Sequence, residues 1–194
     1  VLAVLDTEIT AWEGSLARRW SGPGEAMEIV EIGAVKLDAG RGMAELESFE
    51  ALVRPRINPA LDAYFVRLTG ITQADVDARG TDFATALAAF VRFLGRDGAG
   101  GGVGAVVSTG SDGFAIEENC RLNGLAFPFA RGLFHDITDD LARMLGRERR
   151  AVESSGLPEL LGFPRPGPAH RALADARCVA CALAVLQGRG RLSA

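Results

Sequence analysis

The hydrophobic pattern of this chain changes period several times, and each change marks an element. Val1–Leu5 is an unbroken apolar run, as expected of a strand buried on both faces. Ile29–Leu37 mixes apolar and polar positions and predicts a second strand; Glu47–Val53 predicts a third, stopped by Pro55. Between the first two, residues 11–25 are rich in Gly, Ser, Arg and Trp and read as a loop. Pro59–Leu68 and Thr72–Ala78 predict two short helices broken at Gly70, with Thr72 as N-cap and Asp75 in the first turn. Phe83, Leu87, Phe90, Val91 and Leu94 recur at helical spacing, so residues 83–94 predict an amphipathic helix. Gly98–Gly104 lacks the Lys-Ser/Thr ending of a phosphate-binding loop and reads as a surface loop. Then follow a strand (Val103–Ser108), a helix (Asp112–Leu122), a short strand (Leu133–Ile137) and a helix (Asp139–Gly146). A turn at Leu157–Leu161 and an Ala-rich helix from Ala169 to Leu186 end the pattern. Strands giving way to alternating helices and strands predict one α/β domain over residues 1–194, a sheet layered with helices.

Composition narrows the class. The 194 residues are 48% hydrophobic and 24% charged, which excludes a disordered tail and a coiled coil. No apolar run reaches the roughly 20 residues that span a bilayer, so no membrane partner is expected. The 25 acidic residues against 21 basic ones exclude a cationic nucleic-acid coat, although a cleft can still attract phosphate locally. The odd count of three cysteines suits a reducing, cytoplasmic setting. Cys178 and Cys181 lie in the last helical stretch with no second pair, and are expected in the core. The chain opens at Val1 inside an apolar run without Met, as a fragment lacking its first residues would.

Three segments carry candidate chemistry. Asp6 and Glu8 end the opening strand two residues apart, so both carboxylates project from one face. Two like charges side by side repel, and hard divalent cations relieve that repulsion by taking the oxygens as ligands. Asp112 stands where a second apolar strand gives way to a helix; alone it would be an ordinary N-cap. His170, one of two histidines, stands between the proline-rich Phe163–Pro168 stretch and the last helix, with Asp175 five residues on. The other histidine, His135, falls on a buried-looking strand and is expected to be structural.

In this order, the three segments resemble the DEDDh branch of the DnaQ-like 3′–5′ exonucleases. Asp6 and Glu8 match the first motif, Asp112 the second, and His170 with Ala172 and Asp175 the third, H-x-A-x-x-D. The run Glu28–Val35 resembles the family's second strand, and Leu68–Thr72 adds to the likeness. Trp12-Glu13, Pro55–Pro59 and Leu68–Val76 look most like the Eri-type RNA-trimming members. The fold so implied is RNase H-like, a mixed sheet of about five strands flanked by helices.

The resemblance also implies a mechanism. Two divalent cations, Mg2+ or Mn2+, would be held by Asp6, Glu8, Asp112 and Asp175, four negative charges against four positive. Asp6 would bridge both ions, Glu8 and Asp175 would bind the ion carrying the attacking water, and Asp112 would support the other. His170 would be the general base, since neutral imidazole is available near pH 7. The partners would be 3′ ends of single-stranded RNA or DNA, RNA slightly favoured, and the products nucleoside 5′-monophosphates. A wedge against the terminal base is expected from Trp12 and the Leu68-Thr69-Gly70-Ile71-Thr72 turn, with Arg18 and Arg19 toward phosphates. Alternatives are a DNA proofreading or repair exonuclease and a catalytically silent RNase H-like binding module. A silent module would be expected to lack one of the five motif residues, and all five are present.

Overall fold

A computed structural model describes residues 1–95, 102–130 and 132–192. The glycine-rich loop expected at 98–104 falls largely outside the described residues. Five strands form one mixed sheet: β1 (Leu2–Ile9), β2 (Ile29–Asp38), β3 (Ala44–Leu52), β4 (Val106–Ser108) and β5 (Phe134–Asp136). Their order across the sheet is β3-β2-β1-β4-β5, with β1, β2 and β3 antiparallel and β1, β4 and β5 parallel. The helices are α1 (Ser15–Arg18), α2 (Ala63–Thr69), α3 (Gln73–Arg79), α4 (Phe83–Phe93), α5 (Asp112–Leu122), α6 (Thr138–Leu145), α7 (Leu157–Leu161) and α8 (Ala172–Gly188).

The apolar run of β1 is explained by its central position, because alternate residues enter two different cores. Ala3 and Leu5 pack with Phe83, Phe90 and Ile116 from α4 and α5, whereas Val4 packs with Val179 and Leu183 of α8. A third cluster, with Phe65, Ile71 and Val76, fixes α2 and α3 beside Val30 and Leu52. The expected cap at Thr72 is present as a reciprocal capping box with Asp75, which satisfies two otherwise orphaned donors. Each large apolar side chain so buried contributes roughly 1.5–3 kcal/mol.

One close approach sets the geometry of everything that follows. α8 starts directly against Gly33 of β2: a Cβ there would stand 2.1 Å from the Leu173 nitrogen and 2.2 Å from the Ala172 carbonyl carbon. Gly33 is the register partner of Asp6. The absent side chain therefore lets the first turn of α8 rest beside the acidic end of β1. The small residues Ala172, Ala176 and Ala182, fully buried, hold the rest of α8 close to the sheet.

Several boundaries differ from the sequence pattern. β3 begins at Ala44, and β4 is only three residues long. α8 begins at Ala172, so His170 lies before the helix. The reason is a local bend: His170 has φ 57°, in the left-handed region. β5 is the edge strand and His135 is exposed on it, so its side chain is outside the core. Cys178 is buried on α8, as expected, whereas Cys181, also expected in the core, is only half-buried.

Candidate active site

Asp6 and Glu8 leave β1 on its α8 side and are buried, with relative exposures of 8% and 9%. Asp112 reaches them from α5. Its Oδ1 accepts the Thr7 N–H at 2.9 Å and the Thr7 hydroxyl at 2.7 Å, tying the helix start to β1 between Asp6 and Glu8. Asp112 is therefore the first residue of its helix and bonds across the sheet, while Ser111 occupies the cap position. Asp175 comes from the first turn of α8 and is 3% exposed. It accepts the His170 backbone N–H at 3.1 Å, so the bend at His170 folds the histidine back over its own helix. Together these contacts bring one donor atom from each of Glu8, His170 and Asp175 within 4.8 Å of one another.

The start of α8 has no side-chain cap of its own. Glu31, fully buried and directly opposite Glu8 in the β-ladder, does that work. It accepts the Ala172 N–H at 2.7 Å and the Arg171 guanidinium at 2.6 Å, and Arg171 also reaches Glu50. Acidic groups at a helix N-terminus are favourable, because they face its unpaired N–H groups.

The electrostatics of the four motif carboxylates are different. Burial, then Asp112, Glu8 and Asp175, hold the Asp6 carboxyl well above the ordinary range. Burial, then Asp175, Glu31 and Asp112, push Glu8 up to about 8. Burial pushes Asp112 up to about 6 despite the opposing bonds from Thr7, and it raises Asp175 as well. Among the described residues no Lys or Arg forms an ion pair with any of the four; Arg171 pairs instead with Glu31 and Glu50. Asp175 Oδ1 is buried without a hydrogen-bond partner. Buried like charges without counter-ions, an orphaned carboxylate oxygen and a hard oxygen donor set all fit divalent cations.

These residues line one cleft of about 870 Å3. Its apolar wall consists of Leu16, Trp20, Tyr64 and Leu68, and its far rim carries Arg149, Arg150, Ser154 and Ser155. Of the expected wedge residues, Leu68 lines the cleft. Thr69 is buried and bonded to Phe65 O and Ile71 N, Gly70 ends α2 at φ 71°, Ile71 is in the core, and Thr72 caps α3. Trp12 lies off the cleft, its backbone N–H donating to Ser15 Oγ, and Trp20 lines it instead. The Trp20 indole N–H donates to Thr10 O at 2.6 Å, and its backbone stands at φ 53°. Arg18, expected toward phosphate, is bound to Glu25 and to Glu13 O, where it closes the loop. Arg19 is exposed at φ 54°. Leu16, Trp20, Tyr64, Arg149 and Arg150 line the cleft without a periodic signal; the Arg147-Glu148-Arg149-Arg150 stretch was the one local signal for the last two.

The comparisons agree with this geometry. The exonuclease family model (RNase_T) matches residues 3–183. The chain is 30% identical over 193 residues to ERI1 exoribonuclease 2 of Danio rerio, covering 91% of this chain and 33% of the relative. It is 26% identical over 183 residues to 3′-5′ exoribonuclease 1 of Rattus norvegicus, covering 92% of this chain and 50% of the relative. It thus spans a third to a half of these relatives' lengths. The nuclease domain of 3′hExo, a DEDDh family member bound to rAMP, superposes with a TM-score of 0.82 at 24% identity, covering 99% of this chain and 94% of that one. A sheet of this order, carrying acidic residues at these points of the chain, and a match over nearly its whole length lead to one assignment: the chain belongs to the exonuclease (RNase_T) family.

Proposed function

We propose that this chain is a single exonuclease domain, residues 1–194, that removes nucleoside 5′-monophosphates from the 3′ end of single-stranded nucleic acid, with RNA favoured. Family membership implies dependence on divalent metal; Mg2+ or Mn2+, two ions per site, is our specific reading. The observation that carries the proposal is the convergence of buried Asp6, Glu8 and Asp175 with half-buried Asp112, none ion-paired to a Lys or Arg among the described residues and one with an orphaned oxygen. Asp6, Glu8, Asp112 and Asp175 would hold the ions. Bound there, divalent ions lower the pKa of the attacking water and stabilise the leaving oxygen. His170, beside Glu8 and Asp175, would accept the water's proton as the oxygen attacks phosphorus and the P–O3′ bond breaks. Leu16, Trp20, Tyr64 and Leu68 would receive the terminal base, and Arg149 and Arg150, paired with Asp136, Asp139 and Glu148 in this structure, would exchange those partners for the phosphates. The preference for RNA is supported by relatives named exoribonucleases. Three free thiols support a cytoplasmic setting, and no helix among the described residues is long and apolar enough to cross a membrane. The test is a degradation ladder on matched 5′-labelled RNA and DNA with Mg2+, Mn2+ or EDTA. Shortening from the 3′ end, abolished by EDTA and faster on RNA, is expected; shortening in EDTA would overturn the metal site.

A further inference from the structure

Beside the cleft lies a second hollow of about 720 Å3, and Gly110 and Ser111 line both. Its walls are aromatic: Phe114, Phe127, Phe129 and Phe134. Three of the rings pack on one another, with centroids 5.1 Å apart for Phe129–Phe134, 5.3 Å for Phe127–Phe129 and 5.9 Å for Phe127–Phe134. Gly113 makes room for this floor, because a Cβ there would stand 2.7 Å from Phe134 Cβ. Phe114 stands apart from the packed trio: it is 56% exposed, and it is the one large aromatic among the exposed hydrophobic residues described. With half-buried Phe127 and Phe134 lining the same hollow, the exposed Phe114 ring extends one contiguous apolar surface rather than lying isolated.

Resting on the exonuclease reading, we infer that this trough receives the second and further bases upstream of the scissile phosphate, in the same strand whose 3′ end occupies the cleft. The argument is one of direction and continuity. Leu16, Trp20, Tyr64 and Leu68 line the cleft but not the trough, and they receive the terminal base. The strand then passes the carboxylates and leaves over the shared Gly110–Ser111 rim, which leads to Phe114. Every base presents a flat face, so aromatic walls hold such a strand irrespective of sequence. The Glu117 carboxylate in the trough disfavours phosphates there, which orients bases inward and the backbone toward solvent.

The test compares oligoadenylates of two and eight nucleotides, the shorter being unable to fill both hollows. Phe114→Ala is expected to raise KM for the 8-mer about tenfold more than for the dinucleotide, the loss typical of one stacked base. Phe114→Trp should restore the 8-mer KM, and Phe114→Leu, apolar but unable to stack, should behave like Phe114→Ala. Equal effects on both lengths, or full activity in Phe114→Leu, would overturn the trough. If the wild type hydrolyses neither substrate, the exonuclease reading fails. Equilibrium binding of a fluorescent 8-mer, compared between wild type and Phe114→Ala, then still decides the trough.

Discussion

Two pairs of buried carboxylates, a few residues apart in the sheet, have opposite fates. Glu28 accepts the backbone N–H groups of Arg56, Ile57 and Asn58 at 2.6, 2.8 and 2.6 Å, and so anchors the chain leaving β3. Glu31 is bound by Arg171 and the Ala172 N–H. Asp6 and Glu8 are also withdrawn from water, but burial and neighbouring acids raise both, and Arg171 only partly opposes this at Glu8. Burial therefore does not separate the Glu28–Glu31 pair from the Asp6–Glu8 pair; the groups around them do. Glu28 and Glu31 are satisfied by the chain and hold the fold, whereas Asp6 and Glu8 sit among acids; Asp112 does both, bonded to Thr7 and raised by burial beside Asp6.

The sharpest way to break that contrast is Asp6→Asn. It should abolish turnover yet leave the metal-free fold intact or more stable, because one charge leaves a repelling cluster. Retention of more than about a tenth of the wild-type rate at saturating Mg2+ would remove Asp6 from the ion-bridging position proposed for it. His170→Ala should slow the reaction by about 10²–10⁴-fold, with Mn2+ affinity unchanged and the acidic limb of the rate–pH profile lost. Calorimetry showing that Mn2+ binding disappears with activity would make the imidazole a ligand instead.

On the structural side, Glu31→Ala should cost about 3 kcal/mol of stability in metal-free protein, as when one partner of a buried ion pair is removed. A denaturation midpoint equal to wild type would show that Glu31 does not hold α8. The smallest effect is linkage. Mn2+ at about 100 times its Kd should add roughly 2.7 kcal/mol, a rise of about 5–10 °C in Tm. Without metal, Glu8 with its carboxyl near 8 keeps a proton that the unfolded chain, at an ordinary value of 4.5, has released. The folded state binds more protons between those values, so metal-free stability should fall as pH rises from about 5 to 8. Melting scans in EDTA that rise over that range would contradict the raised carboxyl.

The motif carboxylates were legible because each rests on a local rule. A two-residue period puts Asp6 and Glu8 on one face, and strand-to-helix junctions place Asp112 and the His170 segment at element ends. The cleft wall was less legible. Trp12 and Trp20 are equivalent by type and composition, and only the left-handed backbone at Arg19 and Trp20, with the indole bonded to Thr10 O, turns the second toward the site. Arg18 looked available for phosphate until Glu25 was found beside it. His135 looked buried because its strand is short and apolar on one side, but an edge position exposes it.

The sequence by itself determined the order of elements, the two-faced burial of β1 and the identity of the acids and the histidine, since all of these follow from period and residue type. The tertiary structure alone decided which buried acids are satisfied. Glu31 meets an arginine 140 residues away, whereas Asp112 meets Thr7 across 105. It also decided that Gly33 should admit α8 against β2 beside Asp6. Periodicity reports which face of an element is apolar, but the partner of a buried charge is set by packing between distant segments, which no local pattern records.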